Sequence, residues 1–259
     1  MRSTRGFVAL CGIFTAVNAY VQLPGDIIKH TGVPVGREEK HDNITIYVSP
    51  AKWSRKPDVA VVYLTDAFGL PLLENKLLAD SFARAGFATF APDIFNGDPA
   101  PEDIDNDGAA AFIGRHGVNV TDPIIEKTIK YLREKRGFKQ IAITGYCFGG
   151  RYAFRFLAEG RGADIGYAAH PSFLQDDEVL AINGPASIAA AEVDTLFEAQ
   201  RRWVVEGLLG QTKQPFQIAL YSGTQHGFGT RANISDAEQK FGKEEAFFQA
   251  VRWFYNWSK

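Results

Sequence analysis

Cysteine is scarce in this chain, whose 259 residues include only Cys11 and Cys147. Two cysteines form at most one disulfide, which excludes a small scaffold held together by several disulfides. Cys11 lies in an N-terminal segment that we expect to be cleaved, so Cys147 would be the single cysteine of the mature protein. Cys147 is therefore predicted to be a free thiol.

The chain also lacks the signatures of several binding functions. No run of Lys and Arg is longer than two residues and the net charge is -2, which gives no support for binding to nucleic acid or to an anionic membrane. No G-x-G-x-x-G string follows a strand, so no nucleotide cofactor is expected. No metal-ligand cluster is recognisable either, and His41 and His116 are interpreted as solvated surface residues. We expect neither a cofactor nor a metal.

The composition and patterning predict one α/β domain over residues 20–259. Hydrophobic residues make up 46% and charged residues 22% of the chain, as in a globular domain with a full core. Apolar strand-like runs alternate with helical patterns, which predicts a mostly parallel sheet flanked by helices. Strands are predicted at 59–64, 88–91, 141–144, 165–169, 186–190 and 217–221, and helices at 77–84, 123–136, 152–158, 195–209 and 237–257. The segment 97–117, rich in Pro, Asp and Gly, is predicted to be a loop that lies above the sheet and caps the pocket.

Residues 1–19 are predicted to be a cleaved signal peptide. Arg2 and Arg5 give a basic start, residues 6–17 are mainly apolar, and Val17 and Ala19 provide the small residues of a cleavage site. The apolar stretch is too short for a permanent membrane-spanning helix, so we expect secretion and no stable membrane association. Four Asn-x-Ser/Thr sequons, which also favour a secreted glycoprotein, begin at Asn43, Asn119, Asn233 and Asn256. The alternative is a cytoplasmic protein that retains this segment.

The most informative motif is Gly-Tyr-Cys-Phe-Gly-Gly at residues 145–150. It lies between a strand-like run and a helical pattern, and a strand that turns into a helix through G-x-nucleophile-x-G is the nucleophile elbow of the α/β-hydrolase fold. The glycines permit close packing around a residue held at positive φ. Cys147 is therefore predicted to be the nucleophile. The alternative is a buried cysteine that packs as an inert, small hydrophobic residue.

A nucleophilic thiol needs a base, and in this fold the acid and then the histidine follow the nucleophile along the chain. His226, just after the last predicted strand, is predicted to be the base. His170 precedes the acid and is interpreted as a pocket-lining or packed histidine. Asp194 is predicted to orient the imidazole, with Glu192 as the competing carboxylate. Asp194 could also cap the helix predicted to follow it, and the two roles can coexist.

These segments resemble the dienelactone hydrolase family. The resemblance runs from about residue 31 to the C-terminus and is carried by the elbow, by Ala-Pro-Asp at 91–93 and by Gly-Thr-Gln-His-Gly-Phe at 223–228. It implies an enzyme that opens a small-molecule lactone or ester through a triad of Cys147, Asp194 and His226, with an acyl-enzyme intermediate.

The resemblance also implies roles for residues around the triad. The oxyanion hole would use the backbone N–H groups of Phe148 and Ala67. In the family the resting cysteine contacts a gating glutamate, whose position is occupied here by the shorter Asp66; the alternative is that Asp66 caps loop amides. Bacterial members hold a substrate carboxylate with two arginines, of which Arg231 matches one and residues 94–99 offer no second. A carboxylated dienelactone is therefore not expected as the natural substrate.

Two functional classes remain open. The first is a cysteine hydrolase of a lactone, enol ester or small ester, including a biosynthetic variant that cyclises or cleaves a polyketide-like intermediate in the same pocket. The second is a non-catalytic relative that binds a small ligand or partner. The complete set of triad residues favours the first class.

Overall fold

The computed structural model describes residues 27–104 and 106–259. The predicted signal peptide lies outside these described residues. Within them the strands are β1 (Arg37–His41), β2 (Ile44–Ser49), β3 (Val59–Leu64), β4 (Ala88–Pro92), β5 (Gln140–Tyr146), β6 (Ile165–Ala169), β7 (Ala186–Val193) and β8 (Phe216–Gln225). The helices are α1 (Leu73–Arg84), α2 (Asn106–Arg115), α3 (Val118–Glu134), α4 (Phe148–Arg155), α5 (Asp176–Leu180), α6 (Ala199–Thr212), α7 (Phe228–Arg231) and α8 (Ala237–Trp257).

The strands form one sheet in the order β1-β2-β4-β3-β5-β6-β7-β8. β1 pairs antiparallel with β2, and β2 with β4, whereas every pairing from β4 through β3 to β8 is parallel. β3 is buried along its whole length, as expected for a strand covered on both faces. The structure confirms the predicted mostly parallel sheet with flanking helices. No helix among the described residues is long and apolar enough to cross a membrane.

The sheet separates two apolar cores, one on each face. α3, α4 and α6 cover one face, with Ile125, Tyr152 and Val205 fully buried against it. α1 and α8 cover the other, where the rings of Phe82 and Phe247 lie 4.9 Å apart between centroids. Truncating such a buried ring to alanine costs about 3–5 kcal/mol, so the two cores hold the sheet rigidly. A rigid sheet fixes the positions of the loops at its carboxyl edge.

All of the predicted strands and helices overlap observed ones, but several boundaries were wrong. α3 begins at Val118 and not at Pro123. Its first turn closes through the amides of Val120 and Thr121, which donate to the carbonyl of Gly117 at 2.9 and 3.1 Å. Pro123 does not prevent this, because proline lacks only its own N–H. α6 begins at Ala199, four residues later than predicted, because a turn comes between β7 and the helix. The antiparallel strands β1 and β2 were not predicted.

The prediction of a loop over residues 97–117 was also wrong, because α2 occupies much of this segment. Phe112 on α2 is buried and packs against the rings of Phe95 and Phe148 at centroid distances of 5.1 and 5.9 Å. His116 is likewise buried against this aromatic group and bonds to Asp98, so its interpretation as a solvated surface residue was wrong. Through Phe112 the segment packs against Phe148 at the start of α4, and its predicted role in capping the pocket stays a prediction.

The carboxyl edge of the sheet collects the ends of the six parallel strands. β4 lies on one side of β3 and β5 on the other, so the chain changes direction across the sheet at β3. In open α/β sheets, ligands bind outside the carboxyl ends of the strands at such a switch point. The loops that follow β3 and β5 begin there, and those after β6, β7 and β8 continue along the same edge.

Candidate active site

Cys147 occupies the turn between β5 and α4 in a strained backbone conformation. Its φ is 51° and its ψ is -113°, and the helix begins at the next residue. A Cβ on Gly145 would lie 2.1 Å from the carbonyl oxygen of Gly149, and one on Gly149 would lie 2.5 Å from the carbonyl oxygen of Leu64. Glycine is therefore required at both positions. The turn has the geometry of the predicted nucleophile elbow, and Cys147 is a free, partly exposed thiol.

Asp194 and His226 emerge side by side because of the register of the last two strands. Val193 at the end of β7 is paired with Gln225 at the end of β8. The residues that directly follow them are Asp194, the predicted acid, and His226, the predicted base. The His226 amide donates to the carbonyl of Val193 at 3.1 Å, and its Nδ1 lies 2.8 Å from Oδ2 of Asp194. A contact through Nδ1 leaves Nε2 directed away from the carboxylate, as the orienting role predicted for Asp194 requires.

The Asp194 carboxylate also binds its own loop. Oδ1 accepts the N–H groups of Leu196 and Phe197, each at 2.9 Å, so the turn before α6 is capped by the same group that contacts His226. The two roles considered for Asp194 coexist, although the capped element is a turn and not the helix itself. The competing carboxylate, Glu192, is exposed and accepts the N–H of Gly223 at 2.8 Å.

Ser172, a residue that the sequence analysis missed, lies between the thiol and the imidazole. Its Oγ is 3.3 Å from Sγ of Cys147 and 3.4 Å from Nε2 of His226, and the residue is fully buried. Its place in the sequence could have indicated a site residue, because Ser172 follows the end of β6 by three residues and so lies at the same edge of the sheet as the other predicted site residues. A chain of polar contacts therefore runs from Cys147 through Ser172 and His226 to Asp194.

The electrostatics of His226 favour its charged form. Burial lowers the pKa of His226, but the hydrogen bond with Asp194 and the electrostatic influence of Asp194 and Cys147 outweigh burial and raise that pKa to about 10. At neutral pH the imidazole is then an imidazolium that pairs with the Asp194 carboxylate. This arrangement suits a group that must deliver a proton to a leaving group.

His170 is packed behind His226 and not in a position to replace it. It is fully buried, and its ring lies edge-to-face with His226 at a centroid distance of 5.0 Å and with Phe228 at 5.5 Å. Neither ring nitrogen has a hydrogen-bond partner among the described residues. Burial, together with the positive charges of His226 and Arg231, lowers the pKa of His170 well below its usual value. The ring is therefore a neutral packing element.

The two backbone N–H groups predicted for the oxyanion hole lie at the start of α4 and on the loop after β3. The N–H of Phe148 is the first of α4 and has no intrahelical acceptor. The loop that carries Ala67 is held in place because its carbonyl accepts the N–H of Ala100 at 2.9 Å, and the elbow is fastened to the same loop by a bond from the N–H of Gly149 to the carbonyl of Thr65 at 3.2 Å. The geometry is compatible with the predicted role, which stays a prediction.

Asp66 is fully buried on the loop after β3, and its carboxylate is surrounded by donors. Oδ1 accepts the N–H of Phe68 at 3.2 Å and Nδ2 of Asn75 at 2.9 Å, while Oδ2 accepts the hydroxyl of Thr230 at 3.1 Å and faces Nε of Arg231 at 3.3 Å. Burial raises the pKa of Asp66, and these four donors offset part of the rise. These contacts match the loop-capping alternative, extended by two partners on α7; the gating role stays a prediction.

Arg231 lies at the end of α7, beside the loop after β3. Its guanidinium group stacks over the ring of Phe68 at 4.5 Å, and its side chain is 36% exposed. Lys243 of α8 holds α7 in place by donating to the carbonyl of Thr230 at 2.7 Å. Burial lowers the pKa of this lysine to about 8. Arg231 is anchored through the contact of its Nε with Asp66.

Within the described part of the chain, no group of three His, Cys, Asp or Glu is placed to hold a metal ion.

The strand order, the backbone of the elbow and the polar residues at the ends of β7 and β8 are those of the α/β-hydrolase class. Comparison with known proteins narrows this class. A model of the dienelactone hydrolase family matches residues 44–258. Hydrolase pyvD of Aspergillus violaceofuscus is 39% identical over 89% of this chain and 94% of its own length, and hydrolase tropI of Talaromyces stipitatus is 37% identical over the same shares.

Solved structures agree on the fold. A dienelactone hydrolase from Anabaena variabilis superposes with a TM-score of 0.61 at 12% identity, covering 86% of this chain and 97% of its own. The chain belongs to the dienelactone hydrolase family, as the motifs predicted, and is a hydrolase that acts on ester or lactone bonds.

Proposed function

We propose that the protein is a cysteine hydrolase that opens a lactone, enol ester or small ester through Cys147, His226 and Asp194, with an acyl-enzyme intermediate. The observation that carries the proposal is the continuous series of contacts from the elbow thiol to a buried carboxylate, through Ser172 and His226. A cysteine that only fills space in the core would not require a histidine and a buried carboxylate connected to its thiol. The contacts therefore favour a catalytic protein over a relative that only binds a ligand.

In the acylation step, Sγ of Cys147 attacks the substrate carbonyl and the C–S bond forms. The N–H groups of Phe148 and Ala67 would receive the negative charge that develops on the carbonyl oxygen. The tetrahedral intermediate then expels the ester oxygen, which takes a proton from Nε2 of His226. The raised pKa of His226 supports this step, because the imidazolium is present at neutral pH.

In the deacylation step, water attacks the thioester carbonyl while His226, now neutral, accepts a proton from it. The C–S bond breaks, the carboxylic product leaves, and the thiolate and imidazolium are regenerated. Asp194 keeps Nδ1 of His226 protonated throughout and stabilises the imidazolium whenever it forms. A lactone differs only in that the alcohol stays attached to the acyl group, so one hydroxy acid is released.

The side chains around Arg231 favour a substrate that is neutral or carries a single anionic group. The Nε of Arg231 faces Asp66, which leaves the ends of the guanidinium group to interact with a substrate. The sequence offers no second arginine in residues 94–99. This composition favours an uncharged lactone or ester over a carboxylated dienelactone.

Mass spectrometry during turnover tests the proposed function. We expect the full-length protein, quenched during hydrolysis of a panel of lactones and short esters, to carry one acyl group on Cys147. Cys147→Ala should fold, remain unlabelled and hydrolyse none of the panel. Full turnover by a folded Cys147→Ala protein would exclude the mechanism. Product analysis distinguishes hydrolysis from the biosynthetic variant, in which the acyl group would be transferred within the substrate to form a ring.

We also propose that the protein is secreted after cleavage of residues 1–19. All four sequon asparagines, Asn43, Asn119, Asn233 and Asn256, are exposed, which supports access by a glycosylating enzyme. Expression in a eukaryotic host should place the protein in the medium, with Tyr20 at its N-terminus and a mass that falls on treatment with an N-glycosidase. An intracellular protein that starts at residue 1 and has an unmodified mass would instead support the cytoplasmic alternative.

A further inference from the structure

Two backbone hydrogen bonds hold the elbow against the segment that ends β6 and leads to Ser172. The N–H of Ser172 donates to the carbonyl of Cys147 at 3.0 Å, and the N–H of Cys147 donates to the carbonyl of Ala169 at 3.2 Å. Two residues near Ser172 have positive φ, His170 at 37° and Phe173 at 58°. Such conformations are costly for residues other than glycine and persist where the surrounding structure enforces them. The position of the Ser172 hydroxyl is therefore imposed by the tertiary structure.

The direction of the hydrogen bonds around this hydroxyl follows from Asp194. The carboxylate accepts from Nδ1 of His226, so in the neutral imidazole Nδ1 carries the proton and Nε2 is an acceptor. The Ser172 hydroxyl then donates to Nε2, and its lone pairs face the thiol, which is a donor. Sγ–H to Oγ and Oγ–H to Nε2 form one directed chain over distances of 3.3 and 3.4 Å.

We propose that the Ser172 hydroxyl relays the proton from Cys147 to His226 and then stabilises the thiolate as a hydrogen-bond donor. The thiol proton moves to Oγ while the hydroxyl proton moves to Nε2. Ser172 ends as a neutral hydroxyl, Cys147 as a thiolate and His226 as an imidazolium. The relay rests on the proposed cysteine mechanism, but it acts before any substrate binds and can be tested without one.

The charged and titratable groups around the relay come from four elements. His170, on the loop that carries Ser172, is held neutral by burial, and Asp194, on the loop after β7, contacts the far side of His226. Asp66 and Arg231, after β3 and on α7, face each other at 3.3 Å. Each of these charged groups has its own partner, which leaves the Ser172 hydroxyl as the neutral hydrogen-bonding group between thiol and base.

The pH dependence of Cys147 alkylation by iodoacetamide tests the relay. In the full-length protein, the rate constant is followed by mass spectrometry of the Cys147 peptide. Ser172→Ala should be alkylated about ten- to a hundred-fold more slowly at neutral pH, with its pH profile displaced to higher pH by about one to two units, because a hydrogen bond to a charged group is lost. Ser172→Thr, which retains a hydroxyl, should recover most of the rate.

Ser187→Ala is the matched control. Ser187 is also a fully buried serine, but its hydroxyl bonds to Gln249 and Gln217 beneath β7, away from Cys147. Its loss should leave the alkylation profile unchanged. If Ser172→Ala does not fold, Ser172→Gly removes the same hydroxyl with a smaller side chain and takes its place.

The outcomes separate the relay from the proposed function. A folded Ser172→Ala or Ser172→Gly protein with the alkylation rate and pH profile of wild type overturns the relay, even when Cys147→Ala is inactive. An acyl group that never appears on Cys147 overturns the proposed function instead. A slower, displaced profile in Ser172→Ala with recovery in Ser172→Thr supports the relay, because a merely structural role would not be restored by the hydroxyl alone.

Discussion

Asp194 and His226 are joined through both oxygens of the carboxylate, with Nδ1 at 2.9 Å from Oδ1 and 2.8 Å from Oδ2. The Asp194 side chain is completely buried, whereas that of His226 is 19% exposed. Because the amides of Leu196 and Phe197 also hold Oδ1, the carboxylate has little freedom to rotate away from the ring. The orientation of the imidazole is thus set by the loop after β7.

The Asp194→Asn substitution should therefore reduce kcat on a chromogenic short-chain ester by about 10³- to 10⁴-fold with little change in KM. An amide donates to Nδ1, stabilises the wrong tautomer and removes the charge that balances the imidazolium. Glu192→Gln makes the matching acid-to-amide change at an exposed carboxylate two residues earlier in the chain, and should retain nearly full activity. Equal activities of the two variants would contradict the assignment of Asp194.

The two histidines should differ sharply in their effect on rate. We expect His226→Ala to lose about 10²- to 10⁴-fold in kcat, since in the proposed mechanism it removes the general acid and base. His170→Ala should lose much less, because this ring packs against His226 and its nitrogens bond to no group among the described residues. Steady-state kinetics on one ester, with circular dichroism as the test of folding, compares them. A dead His170→Ala and an active His226→Ala would reverse the assignment.

His170 should make the folded state sensitive to acid. Its pKa in the folded protein lies well below the ordinary value of 6.5, so below pH 6.5 only the unfolded chain takes up this proton. The stability that neutral His170 contributes is present above pH 6.5 and declines below it, by up to about 1.4 kcal/mol per pH unit. His226, whose pKa is raised, contributes a constant amount in that range.

Urea unfolding at pH 7.5, 6.5 and 5.5 measures this slope. We expect the free energy of unfolding of wild type to fall between pH 6.5 and 5.5 more steeply than that of His170→Asn, in which the titrating ring is absent and the positive φ is still tolerated. The absolute stability of the variant should be lower because of lost packing, so the comparison rests on the slope. Parallel curves for the two proteins would show that His170 does not carry the effect.

Asp66→Asn should destabilise the protein by about 1–3 kcal/mol, because its amide nitrogen would face either the donors of Phe68 and Asn75 or those of Thr230 and Arg231. The pH dependence of Cys147 alkylation should stay as in wild type if Asp66 only caps its loop, and should be displaced if Asp66 gates the thiol. Asp93→Asn is the control: that carboxylate caps the amides of Phe95 and Gly97 after β4, without an ion pair. A displaced alkylation profile in Asp66→Asn alone would support gating by this carboxylate.

The elbow glycines should be intolerant of any side chain. Gly149→Ala places a Cβ 2.5 Å from the carbonyl oxygen of Leu64, between two rigid elements, and should lower the free energy of unfolding by at least about 1–3 kcal/mol. Gly207→Ala, on α6 with nothing within 4 Å of the added Cβ, should instead stabilise the protein by about 0.5–1 kcal/mol. Thermal unfolding of both variants provides the measurement, and a neutral Gly149→Ala would disprove the close approach.

The elbow turn and the alternation of strands and helices were predictable because each is local in the sequence, and the proposed triad residues were chosen by their order along the chain. The elbow needs only a strand, six residues and a helix, and the other site residues are placed by following the ends of successive strands. The helix and strand boundaries were less predictable, since the turn that Asp194 caps and the start of α3 depend on individual hydrogen bonds.

The partners of the site residues were decided by the tertiary structure. Ser172 meets Cys147 and His226 across 25 and 54 residues, and Asp66 meets Thr230 and Arg231 across 164 and 165 residues. No local pattern encodes such contacts, because they arise from the register of the parallel strands and from the helices packed on the two faces of the sheet. The sequence by itself determined which groups reach the carboxyl edge, and packing decided which of them touch.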